Sequence, residues 1–440
     1  MVIKLPEKVN YIINTLMEAG YEAYAVGGCI RDSVLGRKPG DWDITTSAKP
    51  LQVKQLFKKT IDTGIQHGTV TVMISGEGFE VTTYRIDGEY EDGRHPKEVV
   101  FTSNLLEDLK RRDFTINAMA YNEKEGLVDA FCGIEDLEKK IIRCVGNPKE
   151  RFEEDALRMM RAVRFAAQLG FTIEAATRDA ITELADNLAK VSAERIQVEL
   201  VKLLVSKHPE EFITAYETGL TRVFLPEFDA MMDTPQNNIH HCYNVGRHTI
   251  EAIKNSPQDK IIRITMLLHD VAKPVCKRAD EEGIYHFSGH PAKGAEMAKE
   301  ILKRLKFDND TIRRVTALIK CHDDMPPLEP TAIRRAIFRT GLEQYPALFV
   351  VKRADALGKN LYQREEKLAY IEGYRKLYEE ILEKEQCLTL KDLAITGKDL
   401  IEAGIKPGKE MGELLGKMLE HVLEHPEDNQ KEILMKQIKI

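Results

Sequence analysis

The sequence predicts an α+β protein, with a small α/β domain first and helices from there to the end. Three observations predict it. Short runs rich in β-branched or aromatic residues, Tyr24–Val26, Trp42–Thr45, Thr69–Ile74 and Phe79–Arg85, all lie before Tyr90. From Lys149 onward apolar residues recur at helical spacing. A chain of 440 residues exceeds one ordinary core, so about two to four domains are expected. The boundaries read as a head at 1–145, a helical neck at 146–225, a histidine-rich helical domain at 226–380 and a helical tail at 385–440.

Each element has a local reason. Pro6 to Ala19 is amphipathic and closes at Gly20, so it reads as a helix and not as a signal peptide. Pro50–Lys59 reads as a helix between strands. Tyr90 to Pro96, YEDGRHP, is a polar loop bounded by strand-like runs. Arg111-Arg112-Asp113 opens a helix-like segment, and Phe114, Ile116, Ala118 and Met119 pin one face of it into a core. Lys149 to Phe224 is helical throughout, with Ser192 as the cap of a further helix. Gly397, Gly404 and Pro407-Gly408 punctuate short tail helices.

Composition narrows the class. Charged residues are 31% and hydrophobic ones 43%, as in soluble globular proteins. A net charge of −7 argues against a uniformly basic nucleic-acid coat and leaves room for a local basic groove. The seven cysteines are scattered with no CxxC pair, which fits free thiols in a reducing cytoplasm. No apolar run reaches the length of a membrane span.

The chemistry concentrates in Val26 to Thr45, VGGCIRDSVLGRKPGDWDIT. Gly27-Gly28 lets backbone N–H groups approach an anion, because no side chain intervenes. Arg31 adds a forked, permanently charged donor. In a strand, residues two apart face one side, so Asp41 and Asp43 present two carboxylates to one spot. Hard oxygen ligands suit Mg²⁺, and Mg²⁺ suits triphosphates. Surface turns produce many such aspartate pairs, but the glycines ahead of this one make the set read as a metal-dependent nucleotidyl-transfer site.

The string GGCIRDSVLG…DWDIT resembles the nucleotidyltransferase superfamily that includes DNA polymerase beta, and within it the bacterial tRNA CCA-adding enzyme and poly(A) polymerase branch. RRDFTINAMA is similar to that family's second motif. The resemblance implies a polymerase-beta-like head, with Gly28 and Arg31 at the nucleotide, Arg112 on its phosphates and Asp113 placing its sugar. Asp129, Gly133 and Asp136 match a following motif with structural roles. The resemblance also implies Mg²⁺ at Asp41 and Asp43, and tRNA, CTP and ATP as partners. In that family the polar loop lies where C addition switches to A addition. Lys398, Lys406, Lys409 and Lys417 of the tail are available to tRNA phosphates.

A third cluster, Glu154-Asp155-Ala-Leu-Arg158-Met-Met-Arg161-Ala-Val-Arg164, can be read in two ways. Glu154 and Arg158, four apart, could be an intrahelical ion pair. Asp155 and Arg158, three apart, face nearly the same way. A carboxylate accepts from the exocyclic amine of cytosine or adenine, and a guanidinium donates to ring acceptors, whereas uracil and guanine offer the wrong groups. The cluster matches the family's EDxxR motif, in which protein reads the base. A helix turns so that Arg164 falls roughly opposite Asp155, which favours Arg161 over Arg164 at the nucleotide. Ser192 to Glu199 resembles the family's next motif, a structural prop for this helix.

A second metal candidate follows in His248, His269-Asp270, His290, His322 and Asp355. Imidazole and carboxylate together suit Mn, Fe or Co, and His269-Asp270 ends an apolar helix, Ile264–Leu268. The order resembles HD-domain phosphohydrolases. That resemblance implies His248, His269, Asp270 and Asp355 on one divalent transition metal, His290 and His322 available to a second, and Lys273 near phosphate; His240 and His241 rival His248 as the first ligand. Template-independent CCA addition is the reading, and an A-only or poly(A) enzyme and a protein acting mainly as an HD phosphohydrolase are the rivals.

Overall fold

A computed structural model describes every residue except 88–98, 238–242, 385 and 437–440. The polar loop Tyr90–Pro96 and the rival histidines His240 and His241 lie outside the described residues. The chain folds as two compact units, Met1–Pro226 and Glu227–Ile440.

The first unit begins with helix α1 (Glu7–Glu18), whose Val9, Ile12, Ile13 and Leu16 are buried at helical spacing. Then come β1 (Ala23–Val26), α2 (Gly28–Val34), β2 (Ile44–Thr46), α3 (Pro50–Leu56), β3 (Thr60–Gly64), β4 (Thr69–Ile74) and β5 (Glu77–Thr83). A small pair follows, β6 (Arg85–Asp87) with β7 (Val99–Phe101), then α4 (Leu105–Lys110), β8 (Ala120–Asn122) and β9 (Gly126–Val128). Seven of these strands form one sheet in the order β3-β4-β5-β2-β1-β8-β9. Only β2 and β5 run parallel in it. Tyr24, Val26, Tyr84, Leu105, Leu109 and Ala120 pack as one core cluster behind its centre.

The helices after the sheet are α5 (Gly133–Lys139), α6 (Pro148–Glu154), α7 (Leu157–Leu169), α8 (Ala175–Leu184) and α9 (Ala193–Leu204). Eleven of the thirteen residues of α7 are buried, including Arg158 and Arg164, so it is a core helix that carries charge. Gly170 ends it at φ +70, where a Cβ would press within 2.8 Å of His208. Ser192 stands at the N-cap of α9 as expected, although its hydroxyl makes no capping bond.

Some boundaries in the first unit differ from expectation. Arg111, Arg112 and Asp113 close α4 and do not open a helix, because Arg111 is its C-cap and only a short 3₁₀ turn, Thr115–Asn117, follows. The predicted helix through Lys59 stops at Leu56, and Thr60–Gly64 is an edge strand with its middle residues exposed.

The second unit is helical apart from a hairpin of Arg278–Ala279 with Tyr285–His286. Asn244, Asp259 and Asp308 cap helices Val245–Lys254, Lys260–Leu268 and Asn309–Cys321, each accepting a backbone N–H at 2.7–2.9 Å. Gly358 lets helix Tyr345–Gly358 cross Val245–Lys254 closely, since a Cβ there would lie 3.0 Å from the Ala252 nitrogen.

Candidate active site and metal centre

Strand register gathers the head motifs at one end of the sheet. Ala25 of β1 faces Ile44 of β2, and the Val26 N–H donates to the Asp43 carbonyl at 3.0 Å, so Gly27 emerges beside the aspartates. Val26 faces Ala120 of β8, and the Gly27 N–H donates to Met119 O, so the segment before β8 arrives at the same end. That segment contains Arg112 and Asp113. Gly27 has φ +81, and a Cβ there would lie 3.0 Å from Arg112 Nη1. The glycine is therefore what lets this arginine sit over the turn.

Asp41 and Asp43 precede β2, in extended chain and not in the strand itself. Both are exposed, yet partial burial and the Asp41 charge raise the Asp43 pKa, with Arg112 opposing. Sequence reasoning missed a third carboxylate. Glu80 immediately precedes Val81, the register partner of Ile44, and its pKa is raised by burial, then by Asp43 and Asp41. Crowded hard-oxygen donors of like charge, with one arginine beside them, are a donor set fit for Mg²⁺.

Arg31 is not a free donor. Asp32 grips it through Nε and Nη2 at 2.9 and 3.0 Å, and Nη1 donates to Asn117 at 2.7 Å. Arg112 instead keeps a long contact, 3.5 Å, to the buried carboxylate of Asp108, which also takes Arg111 and Thr45 Oγ1. Asp113 is buried and accepts from Asn117 Nδ2 and Arg161 Nε at 3.2 and 2.8 Å. Burial pushes its carboxyl up, but Arg161 outweighs that and holds it at about 2. Asp113→Asn should therefore destabilise the protein at neutral pH. The deficit should shrink as pH falls from the ordinary carboxyl value of 3.8 through about 2, read as urea unfolding of parent and variant. A deficit undiminished at the acid end would refute that pairing.

The cluster expected to read the base is not carried by a single helix. The chain breaks at Asp155, with φ −146 and ψ 100, and α7 starts at Leu157. Asp155 is thus not on the helix of Arg158, and the helical-wheel objection to Arg164 falls. Asp155 accepts from Leu157 N at 3.1 Å and pairs with Arg195 of α9 at 2.7 Å. Arg158 bridges the break, donating to the carbonyls of Arg151 and Arg111 and to Glu154, so the alternative ion pair is present as well. Arg164 pairs with buried Glu199 at 2.5 Å, and burial lowers its pKa to about 10. The expected structural residues are structural here: Asp129 caps α5, and Asp136 ties Thr115 to Arg143.

In the second unit His248, His269, Asp270, His290, His322 and Asp355 are all buried. Nε2 of His248 lies 3.2 Å from Nε2 of His269, 3.0 Å from Asp355 Oδ1 and 3.6 Å from Asp270 Oδ2. Nε2 of His290 lies 3.4 Å from both Nε2 of His322 and Asp270 Oδ1. Each of the four Nδ1 atoms meets a backbone carbonyl, those of Gly358, Met266, Phe287 and Ile319. A carbonyl only accepts, so Nδ1 carries the proton and a neutral ring turns a bare Nε2 inward. The centre is then a crowd of acceptors, and buried Asp270 has one ammonium beside it, Lys273 at 2.7 Å from Oδ2. Burial would lower the His269 pKa, yet Asp270 and Asp355 carry it up to about 9. Such a centre calls for positive charge. The donors fall into two groups that share Asp270, His248-His269-Asp270 and Asp270-His290-His322, and both fit a divalent ion. Lys273 and Lys359 stand at the rim on Asp270 and Asp355 at 2.7 and 2.6 Å.

The chain matches the Poly A polymerase head domain over residues 23–143, the RNA and SrmB-binding site of polymerase A over 170–232, and tRNA nucleotidyltransferase domain 2 over 280–438. It is 38% identical to the CCA-adding enzyme of Lactiplantibacillus plantarum over 96% of this chain and 93% of that protein. It is 36% identical to that of Ligilactobacillus salivarius over 98% and 96%. Its fold is similar to the Bacillus stearothermophilus CCA-adding enzyme in complex with CTP, with a TM-score of 0.74 and 31% identity, covering 99% of this chain and 98% of that one. With the motifs converging on one end of the head sheet, these relationships place the chain in the family of CCA-adding enzymes.

Proposed function

We propose that this protein adds CMP, CMP and AMP to the 3′ end of tRNA from CTP and ATP, with no nucleic-acid template. The observation that carries this is the register that sets Gly27, Asp43 and Arg112 together at one sheet end. The relatives' names, a CTP-bound relative and a tRNA-bound Thermotoga maritima protein of the same fold support it. Asp41 and Asp43 hold Mg²⁺, with Glu80 beside them, and Arg112 takes the triphosphate. Held there, Mg²⁺ would supply a lowered pKa for the attacking 3′-hydroxyl and positive charge at the α-phosphate. Arg195 and Glu154 hold Asp155 and Arg158 in place before any base arrives. The acid and the guanidinium then accept cytosine or adenine and reject uracil or guanine. Nothing in the chain needs to form a covalent intermediate.

The test is incorporation into tRNA lacking CCA, with each nucleotide alone. CTP alone should be incorporated, and ATP only after both cytidines. Incorporation of ATP alone would favour an A-only or poly(A) enzyme. Asp155→Ala with Arg158→Ala should lower selection of C and A over U and G about tenfold or more, as loss of a bidentate base contact does.

We also propose that the buried donors of the second unit are an HD-type divalent-metal centre, of Mn, Fe or Co. Such a metal supplies a polarised phosphate and an activated water. Lys273 and Lys359 draw an anionic ester to the rim. Free thiols fit a cytoplasmic location, and among the described residues no helix is long and apolar enough to cross a membrane.

A further inference from the structure

One ring in the head unit is shared by three cations. Phe165 of α7 is 5% exposed. The guanidinium carbons of Arg164, Arg31 and Arg161 lie 3.8, 5.1 and 5.4 Å from its centroid. It packs T-shaped with Phe114, the residue after Asp113, at 5.8 Å and 81°. Arg31 pairs with Asp32, Arg164 with Glu199, and Arg161 with Asp113 and, at 3.9 Å, with Glu199. The carboxylates balance charge, but none of them touches all three arginines. The ring is what these cations have in common, and it joins the glycine-turn helix, the Asp113 segment and the base-reading helix. A leucine would fill similar space but has no negative face to hold a guanidinium in plane.

We infer that Phe165 is a positioning residue for nucleotide binding, setting the directions of Arg31, Arg161 and Arg164. This rests on the nucleotidyl-transfer reading above. The role is distinct from core filling, and the two separate by kinetics.

The experiment compares parent, Phe165→Leu and Phe165→Tyr as full-length proteins in single-nucleotide addition, with KM and kcat for CTP and ATP and the melting temperature of each. Phe165→Leu is expected to raise both nucleotide KM values about tenfold with kcat within about twofold, the pattern for loss of uniform binding. Phe165→Tyr keeps a π face and should return KM to within about twofold of the parent. Should Phe165→Leu melt early, Phe165→Met fills the same space and takes its place. A parental KM in the aliphatic variant would overturn the inference, as would a tyrosine variant as impaired as the leucine one. A parent that adds no CMP at all would instead overturn the nucleotidyl-transfer reading.

Discussion

Asparagine at Asp41 or Asp43 is expected to lower CMP and AMP incorporation by about 10³-fold or more, because each substitution removes a hard anion from the proposed Mg²⁺ site. Stability should move the other way. Burial and the neighbouring Asp41 raise the Asp43 pKa, so its charged form is disfavoured by folding, and Asp43→Asn relieves that. A melting temperature equal to or above the parent's, with activity lost, is the signature of a site that trades stability for function. Glu80→Gln should have the same sign and a smaller size, since burial and then the Asp43 and Asp41 charges raise the Glu80 pKa. Rates come from radiolabelled CTP at saturating tRNA, melting from circular dichroism. Activity within tenfold of the parent in both aspartate variants would remove the carboxylates from the chemistry.

What was legible in the sequence follows from how local each feature is. Gly27-Gly28 and the aspartate pair are spelled by near neighbours in sequence, and β1 and β4 fall where short runs of β-branched or aromatic residues placed them. Glu80 was illegible because its only link to the site is lateral, through the β2–β5 register, which no spacing encodes. The break at Asp155 was hidden for a related reason. Residues 153–158 have ordinary helical propensity, and the chain is turned out of the helix by Asp155 capping Leu157 and pairing with Arg195, forty residues on. Nothing in the sequence singles out Asp108, yet it is fully buried and anchors Arg111 and Arg112. In the second unit the histidines and aspartates stood out as candidates, but their grouping around Asp270 depends on helix crossings such as the one at Gly358.

Metal analysis of the second unit's centre carries the other large effect. The purified parent, loaded with Mn²⁺ or Co²⁺ and desalted, is expected to hold two ions in this unit, because the two oxygens of Asp270 face separate histidine pairs. His290→Ala with His322→Ala should leave one ion, and Asp270→Ala none, each counted by elemental analysis in the Asp41→Asn, Asp43→Asn background so that the head adds nothing. Co²⁺ adds a visible d–d band as an independent readout. Stripping the ions should lower the melting temperature by roughly 10 °C, the equivalent of about 4 kcal/mol at a thousandfold excess of metal over Kd. The physical ground is the facing of four imidazoles whose outer nitrogens are committed to backbone carbonyls. With no cation between them, Nε2 lone pairs 3.2 and 3.4 Å apart repel one another and the carboxylates beside them. A proton on His269 is the competing source of positive charge, and it reaches only the first group of donors. It therefore leaves His290 and His322 facing Asp270 Oδ1 with no cation between them, the Lys273 ammonium lying on Oδ2. A parent that binds no metal, with a melting temperature indifferent to chelator, would assign the centre to that proton.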